Sequence, residues 1–269
     1  MKRLTRTFSA LALFVLLSAC SSPQEADLKK AQDLIQDGHF RRAAQYLEQA
    51  IKRDEQSKTA LKAMKEAARI SFLEIKDYKK AAHYYQLIVR YSPEESDRNE
   101  AQRQLASLYF ESLQDYERAA VEYSKLATSS RVDSERAFYK LSVARSYYYL
   151  GNYFQTLSEI SEILKLKSDR EVEFQARLLK GNVFVAQKKF DESAKIFQDV
   201  ISKFPDKSLK ENVHLVLSLS FEEKGDYKQA LAVLEKIKDR YEPKEYLELR
   251  IKRIEERARN QPGARGYRK

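Results

Sequence analysis

The sequence predicts an all-α protein built as an array of helical repeats, and two observations support this prediction. A short phrase, made of a helix-breaking residue, an acid or amide and an aromatic, recurs at intervals of 37 or 38 residues. Glycine and proline are scarce, at 6 and 5 residues, which is typical of helices joined by short turns. Six units at one period predict a solenoid in which each repeat packs on its neighbours. The turn aromatics are Phe40, Tyr78, Tyr116, Tyr153, Phe190 and Tyr227.

Each repeat contains two amphipathic segments that flank the recurring phrase. Apolar residues three and four positions apart predict that both segments are helices. The first helices are expected at about 26–36, 58–75, 95–113, 134–150, 170–187 and 207–224. The second helices are expected at about 40–52, 78–91, 116–128, 153–166, 190–204 and 227–240, and a last helix at about 244–259 covers the end of the stack. The residues placed to cap second helices are Asp77, Asp115, Asn152 and Asp226.

The residue pattern within the repeats resembles that of the tetratricopeptide repeat (TPR) family. Repeat six carries the pattern with Ser218, Phe221, Gly225, Asp226, Tyr227 and Ala230, and the resemblance covers roughly residues 25–243. It implies a helix–turn–helix solenoid that binds protein partners. Units of that family usually have about 34 residues. The longer first helices resemble those of BamD-like lipoproteins of outer-membrane β-barrel assembly, although those chains usually have fewer repeats.

The N-terminal segment is typical of a secretory signal. Lys2, Arg3 and Arg6 precede a mostly apolar run over residues 8–19, which is too short to span a bilayer core of ~30 Å. The run ends in Leu17-Ser18-Ala19-Cys20, which resembles a bacterial lipoprotein signal, in which the cysteine becomes the acylated first residue. The alternative is an ordinary signal with a cysteine there by chance. We therefore expect a signal peptide over 1–19, an acylated Cys20 with a short linker over 20–25, and the repeat array over 26–259.

The resemblance to lipoproteins also implies a location. Ser21 follows the cysteine, where lipoproteins kept in the inner membrane often carry Asp, so we expect anchoring in the outer membrane, facing the periplasm. The inner membrane and the cell surface remain alternatives. Cys20 is the one cysteine of the chain, so no disulfide supports the array.

The formal charge of +10 is concentrated at the two ends of the chain. Residues 1–19 supply +3 and the segment from Arg250 onward supplies +6, which leaves about +1 for everything between. The array itself is therefore nearly neutral, and we expect no nucleic-acid partner. The basic tail at 260–269 is expected to be disordered; it is either a loose solubilising tail or a contact for acidic lipids or a partner.

The residues give no support for an enzyme. Gly38, Gly151 and Gly225 belong to turns, Gly181 to helix packing, and Gly263 and Gly266 to the tail, so no glycine remains for a phosphate loop. The three histidines lie in different repeats, without a second ligand at metal-binding spacing. We expect no catalytic residue, no metal, no small-molecule substrate and no cofactor other than the lipid on Cys20.

The first helices of a TPR stack line a groove in which partner peptides usually lie. Counting from the turn aromatics, we expect the following residues to face that groove: Gln104, Leu108 and Glu111 in repeat three, Phe138, Leu141, Arg145, Tyr148 and Tyr149 in repeat four, Leu178, Asn182 and Val185 in repeat five, and Leu215, Leu219 and Glu222 in repeat six. Tyr147 is expected to point to the core.

Repeat four is unusual because it places several aromatics around one arginine, and such side chains are common anchors of interfaces. We expect Phe138, Arg145, Tyr148 and Tyr149 to hold an extended peptide whose backbone bonds to Asn182. The alternative is that the tyrosines pack against neighbouring helices.

The sequence thus indicates a membrane-anchored scaffold for protein partners in envelope assembly. A pilotin, a secretion or cell-wall accessory lipoprotein, and a purely structural brace remain alternatives.

Overall fold

The computed structural model describes residues 22–260, and these form an all-α TPR array without strands. The expected signal peptide, the acylation at Cys20 and the tail beyond residue 260 lie outside the described residues. The described chain divides into two compact units, one ending at Ser92 and one beginning at Pro93. Within residues 22–260, no helix combines the length and the apolar character that crossing a bilayer requires.

The first unit contains two helix pairs, α1 (Pro23–Gln36) with α2 (Phe40–Arg53) and α3 (Lys58–Leu73) with α4 (Tyr78–Tyr91). Alanines allow the close approach of helices in this unit: Ala60, Ala63, Ala67 and Ala68 of α3 are fully buried. Larger side chains fill the remaining core, among them Leu47, Met64, Ile70 and Ile88.

The second unit contains ten helices and one short π-helix. They are α5 (Glu95–Ser107), which continues into the π-helix (Leu108–Ser112), α6 (Tyr116–Ser129), α7 (Asp133–Tyr149), α8 (Tyr153–Ile163), α9 (Arg170–Ala186), α10 (Phe190–Lys203), α11 (Pro205–Lys210), α12 (Val213–Lys224), α13 (Tyr227–Glu235) and α14 (Lys244–Arg259). Close helix packing again depends on a small residue. A Cβ at Gly181 on α9 would lie 2.6 Å from Cζ of Phe197 on α10.

The repeated phrase builds the same turn in every repeat. Each turn aromatic is the first residue of a second helix, as predicted. Asp77, Asp115, Asn152 and Asp226 cap these helices, since their side chains accept backbone hydrogen bonds over 3.0–3.2 Å. The residue before each cap has a left-handed φ, which Gly adopts without strain. Those residues are Gly38, Lys76, Gln114, Gly151, Lys188 and Gly225.

Several helix boundaries differ from the sequence-based prediction. The second helix of repeat four ends at Ile163 instead of about 166, and that of repeat six ends at Glu235 instead of about 240. Three other differences have a local cause. The first helix begins at Pro23, within the expected linker, because Ser22 and Glu25 form a capping box. The first helix of repeat three ends in the π-helix. The first helix of repeat six, predicted as one segment from about 207 to 224, is two helices separated by Asn212 at φ 59°. Asn tolerates this left-handed conformation, which ends one helix and starts another.

The last helix covers the end of the second unit, as predicted. Leu247, Ile251 and Ile254 of α14 pack in one core cluster with residues of α12 and α13. Arg250 and Arg257 of α14 both pair with Glu222 of α12, whose side chain is 3% exposed. The expectation that Glu222 faces a groove is therefore wrong, because α14 covers that residue.

A candidate partner-binding surface on repeat four

One side of α7 presents Phe138, Ser142, Arg145 and Tyr149, which are spaced four, three and four residues apart. This spacing places the four side chains along one face of a helix, over about 16 Å at ~1.5 Å per residue. Phe138 is 53% exposed and Tyr149 is 58% exposed, although both are aromatic. Ser142 and Arg145 are partly buried between them. We call these four residues the α7 stripe.

Arg145 is held in place by an amide. Its Nη2 donates a hydrogen bond to Oε1 of Gln175 on α9 over 3.1 Å, and Nε2 of Gln175 donates to Oε1 of Glu171 over 3.1 Å. Other cations of α7 have carboxylate partners at 2.9–3.0 Å, in the pairs Lys140–Glu159 and Arg136–Asp133. Within residues 22–260, the positive charge of Arg145 is therefore positioned by a neutral group rather than paired with a carboxylate.

Tyr149 is oriented by two rings from repeat three. Its ring stacks on that of Tyr116 with centroids 4.8 Å apart and planes at 16°, and it meets Phe110 edge-on at 5.7 Å. Such contacts fix a ring while leaving its other face available. Tyr149 is therefore both packed against a neighbouring helix and accessible to a partner.

Tyr148 belongs mainly to the core. It packs against the cluster of Ala137, Leu141 and other buried residues, and its ring lies 6.0 Å from that of Tyr153. Burial raises the pKa of its hydroxyl. For Tyr148, therefore, the alternative prediction of packing against neighbouring helices describes the structure.

In addition to Glu222, two predicted groove residues are buried, so the predictions for them are wrong. Leu108 is 2% exposed and Leu141 is 3% exposed. The π-helix that begins at Leu108 changes the number of residues per turn, so a count based on a regular helix places Leu108 on the wrong side. Leu141 lies beside the α7 stripe, on the adjoining face, and belongs to the same core cluster as Ile160 of α8.

The remaining predicted residues lie on first helices of repeats three, five and six. Leu178, Val185 and Leu215 are partly buried and pack against the core of the second unit, and Leu219 is partly exposed. Gln104 is exposed and donates a hydrogen bond to Glu100 over 2.8 Å. Glu111 is exposed on the π-helix. Burial, together with the charge of Glu111, raises the pKa of Tyr123, while Arg145 acts in the opposite direction. Asn182 is partly exposed on α9.

A second surface was not predicted. A groove of about 690 Å³ lies between α6 and the end of α7, with Val121, Tyr147 and Leu150 among its lining residues. Tyr147, expected to point to the core, forms part of its wall instead. The sequence contains one signal for this groove, because Val121 takes a position that other repeats fill with polar or small residues. Those residues are Gln45, His83, Ser158, Lys195 and Ala232.

The described part of the chain contains no group of three or more His, Cys, Asp or Glu residues that could hold a metal ion. What the site offers is a surface: aromatic faces, one arginine and flanking amides. These groups bind protein side chains and backbones.

The sequence profile of the tetratricopeptide repeat matches residues 28–93 and 178–245, about half of the chain. No sequence among curated proteins matches this chain. A crystal structure of a TPR protein from Parabacteroides merdae is 20% identical, with a TM-score of 0.52 over 93% of this chain and 95% of that one. YrrB, described as a TPR protein with an unusual peptide-binding site, is 16% identical, with a TM-score of 0.50 over 78% of this chain and 99% of its own. Both similarities concern the fold, and with the matching profile they lead to one conclusion: the chain is a member of the tetratricopeptide repeat family.

Proposed function

We propose that the protein is a lipid-anchored TPR scaffold that binds protein partners during assembly of the bacterial envelope, in particular of outer-membrane proteins. The α7 stripe is the observation that carries the binding role. It combines two exposed aromatics with an arginine whose charge has no carboxylate partner among the described residues. Aromatic and arginine side chains contribute most of the binding energy at many interfaces.

The proposed anchor rests on the sequence Leu17-Ser18-Ala19-Cys20. Only Ser21 and Ser22 separate this cysteine from the first helical residue, Pro23. Three residue steps span at most ~10 Å, so acyl chains on Cys20 would hold α1 close to the membrane surface. Multiple acyl chains anchor stably, at about 0.8 kcal/mol per buried CH₂.

Acylation is tested by metabolic labelling with an alkyne analogue of palmitate, followed by membrane fractionation. We expect the wild-type chain to carry the label and to sediment with outer membranes. The variant Cys20→Ser should lose both properties. An unlabelled wild-type chain, or a C20S chain that still sediments with the outer membrane, would contradict the anchor.

The binding role is tested by replacing Phe138 with a photo-crosslinking phenylalanine analogue in living cells. Tyr246 on α14 provides the matched control position, because it is an aromatic of similar exposure at 50%, against 53% for Phe138. Crosslinks from position 138 to β-barrel precursors support a role in outer-membrane protein assembly. Crosslinks to pilus or secretion subunits indicate an accessory lipoprotein of those systems, and crosslinks to fixed neighbours alone indicate a structural brace.

A further inference from the structure

We infer that the α7 stripe docks an amphipathic helix of a partner, with one acidic side chain on Arg145 and apolar side chains on Phe138 and Tyr149. This inference rests on the proposed function, because it names the chemistry of the partner that the scaffold binds. It replaces the extended peptide expected from the sequence.

The positive charge of Arg145 determines which type of side chain is favoured at the centre of the partner helix. Arg145 is partly buried and its described hydrogen bond goes to the neutral side chain of Gln175. A partner carboxylate at this point gains a charge-assisted hydrogen bond to the guanidinium without breaking an existing ion pair. A basic side chain there would meet the positive charge of Arg145, which forms no ion pair among the described residues, so an acidic residue is favoured.

The groups around Arg145 limit the number of acidic residues that the partner can carry at this surface. Glu111 and Arg145 both lie close enough to Tyr123 to shift the pKa of its hydroxyl, in opposite directions. Glu171 accepts the hydrogen bond of Gln175 and also pairs with Lys207, so its charge is already offset within the protein. The exposed carboxylate of Glu111 disfavours further acidic residues beside the central one. The surface therefore suits a partner with one acid between apolar residues rather than a polyacidic segment.

The spacing of the stripe indicates a helical partner. Phe138 and Arg145 are seven residues apart, or about 10 Å along α7, and Arg145 and Tyr149 are four apart, or about 6 Å. An extended chain covers ~10 Å in three residues, and its side chains at that spacing point to opposite faces. A helix that runs along α7 matches both distances on one face, with positions i, i+7 and i+11.

Packing within the protein already orients side chains of the α7 stripe before a partner helix binds. Tyr149 is fixed by Tyr116 and Phe110, so little rotamer freedom is lost when a partner covers it. Ser142 lies between the two aromatics, and its hydroxyl donates to the carbonyl of Phe138 over 3.3 Å. The serine is short in comparison with the aromatics on either side, so an apolar side chain of the partner helix can pack over it.

The experiment is a selection from a displayed library of helical peptides in which positions i, i+7 and i+11 are randomised. The purified acylated chain is the bait. We expect enrichment of Asp or Glu at i+7 with apolar residues at i and i+11, or the same set in the reverse direction. Enriched peptides should bind Arg145→Gln at least about tenfold more weakly, since a hydrogen bond to a charged group is lost.

The matched control is Arg69→Gln, which removes an exposed arginine of α3 that pairs with Glu66. Peptide affinity should be unchanged in R69Q, and thermal unfolding should show that both variants are folded. The inference is overturned if no peptide is enriched, if position i+7 shows no acidic preference, or if R145Q binds as tightly as the wild type.

Failure of this inference can be distinguished from failure of the proposed function. Crosslinking of envelope proteins from position 138 without an acidic preference in the library would refute the inference alone. Selection of acidic helices by a chain that contacts no envelope protein in cells would refute the proposed function alone.

Discussion

Arg145 on α7 and Gln175 on α9 are joined by a hydrogen bond of 3.1 Å between the guanidinium and the side-chain amide oxygen. The bond connects the first helices of two successive repeats and positions the arginine without neutralising it. The partner-binding account depends on this arrangement, because a carboxylate in place of the amide would satisfy the charge within the protein.

The first prediction is that Gln175→Glu weakens binding of acidic helical peptides by about tenfold or more, because Arg145 then forms an internal ion pair. The new carboxylate also lies four residues from Glu171, which pairs with Lys207. Attraction to Arg145 and repulsion from Glu171 largely offset each other, so the free energy of unfolding should change by less than about 0.5 kcal/mol. Fluorescence anisotropy and thermal unfolding measure the two effects. The control Gln175→Ala should weaken binding less than Q175E, because it removes the positioning hydrogen bond without supplying a competing carboxylate. Equal affinity of Q175E and the wild type would contradict the prediction.

The second prediction distinguishes an exposed residue of α7 from a buried one by their contributions to stability. Leu141→Ala should lower the free energy of unfolding by about 2–5 kcal/mol, because it removes a buried side chain. Phe138→Ala should cost less than about 1 kcal/mol, since more than half of that side chain is exposed. Chemical denaturation provides both values, and a loss in F138A as large as that in L141A would show that Phe138 belongs to the core.

The third prediction concerns the left-handed residue of each turn. Lys188 has a φ of 58°, a conformation that strains L-residues, so Lys188→Gly should stabilise the protein by about 0.5–1 kcal/mol. Gly151→Ala should have the opposite effect through backbone strain alone, because nothing lies within 4 Å of the added Cβ. Lys180→Gly, in the interior of α9, is the control and should be destabilising by about 1 kcal/mol. A destabilised K188G chain would disprove this explanation.

The fourth prediction concerns stability in acid. Burial lowers the pKa of His214, and the charges of Arg240 and Lys236 act in the same direction, whereas a hydrogen bond to the backbone of Ser208 opposes them. Its Nδ1 is buried without a hydrogen-bond partner. The folded state therefore binds a proton less readily than the unfolded state, whose histidine titrates near pH ~6.5. The stability contribution is present above that pH and is lost as pH falls through the folded pKa.

The variant His214→Gln tests this prediction, because it keeps a side-chain N–H and cannot titrate. We expect the wild type to lose more of its free energy of unfolding than H214Q as the pH is lowered from neutrality. Parallel pH profiles for the two proteins would exclude His214 as the cause.

The repeat period made most of the fold predictable from sequence. The aromatics, the caps and the left-handed residues are all local features, and each turn is determined by residues adjacent in the chain. Asp115 and Tyr116, for example, are a cap and a first helical residue in the structure as in the prediction. The repeat period did not predict the two places where the backbone departs from a regular helix, which are the π-helix after Ser107 and Asn212.

The binding surface was predictable only in part. The exposed aromatics Phe138 and Tyr149 follow from their unusual place in repeat four. The assignment of Leu141 and Tyr148 did not hold, because burial depends on how α8 and α9 pack on α7. The amide partner of Arg145 is separated from it by 30 residues, and only the packed structure brings the two together.

The most direct test of the account is a charge exchange at Arg145, with binding measured for a selected peptide and its central-lysine counterpart. Arg145→Glu should abolish binding of the acidic peptide, and the lysine peptide should bind R145E but not the wild type. Recovery of binding when the charges of residue 145 and of the central peptide residue are both reversed requires direct contact between the two side chains. If R145E binds neither peptide although it is folded, or binds the acidic peptide unchanged, Arg145 does not receive the partner's carboxylate and the account is wrong.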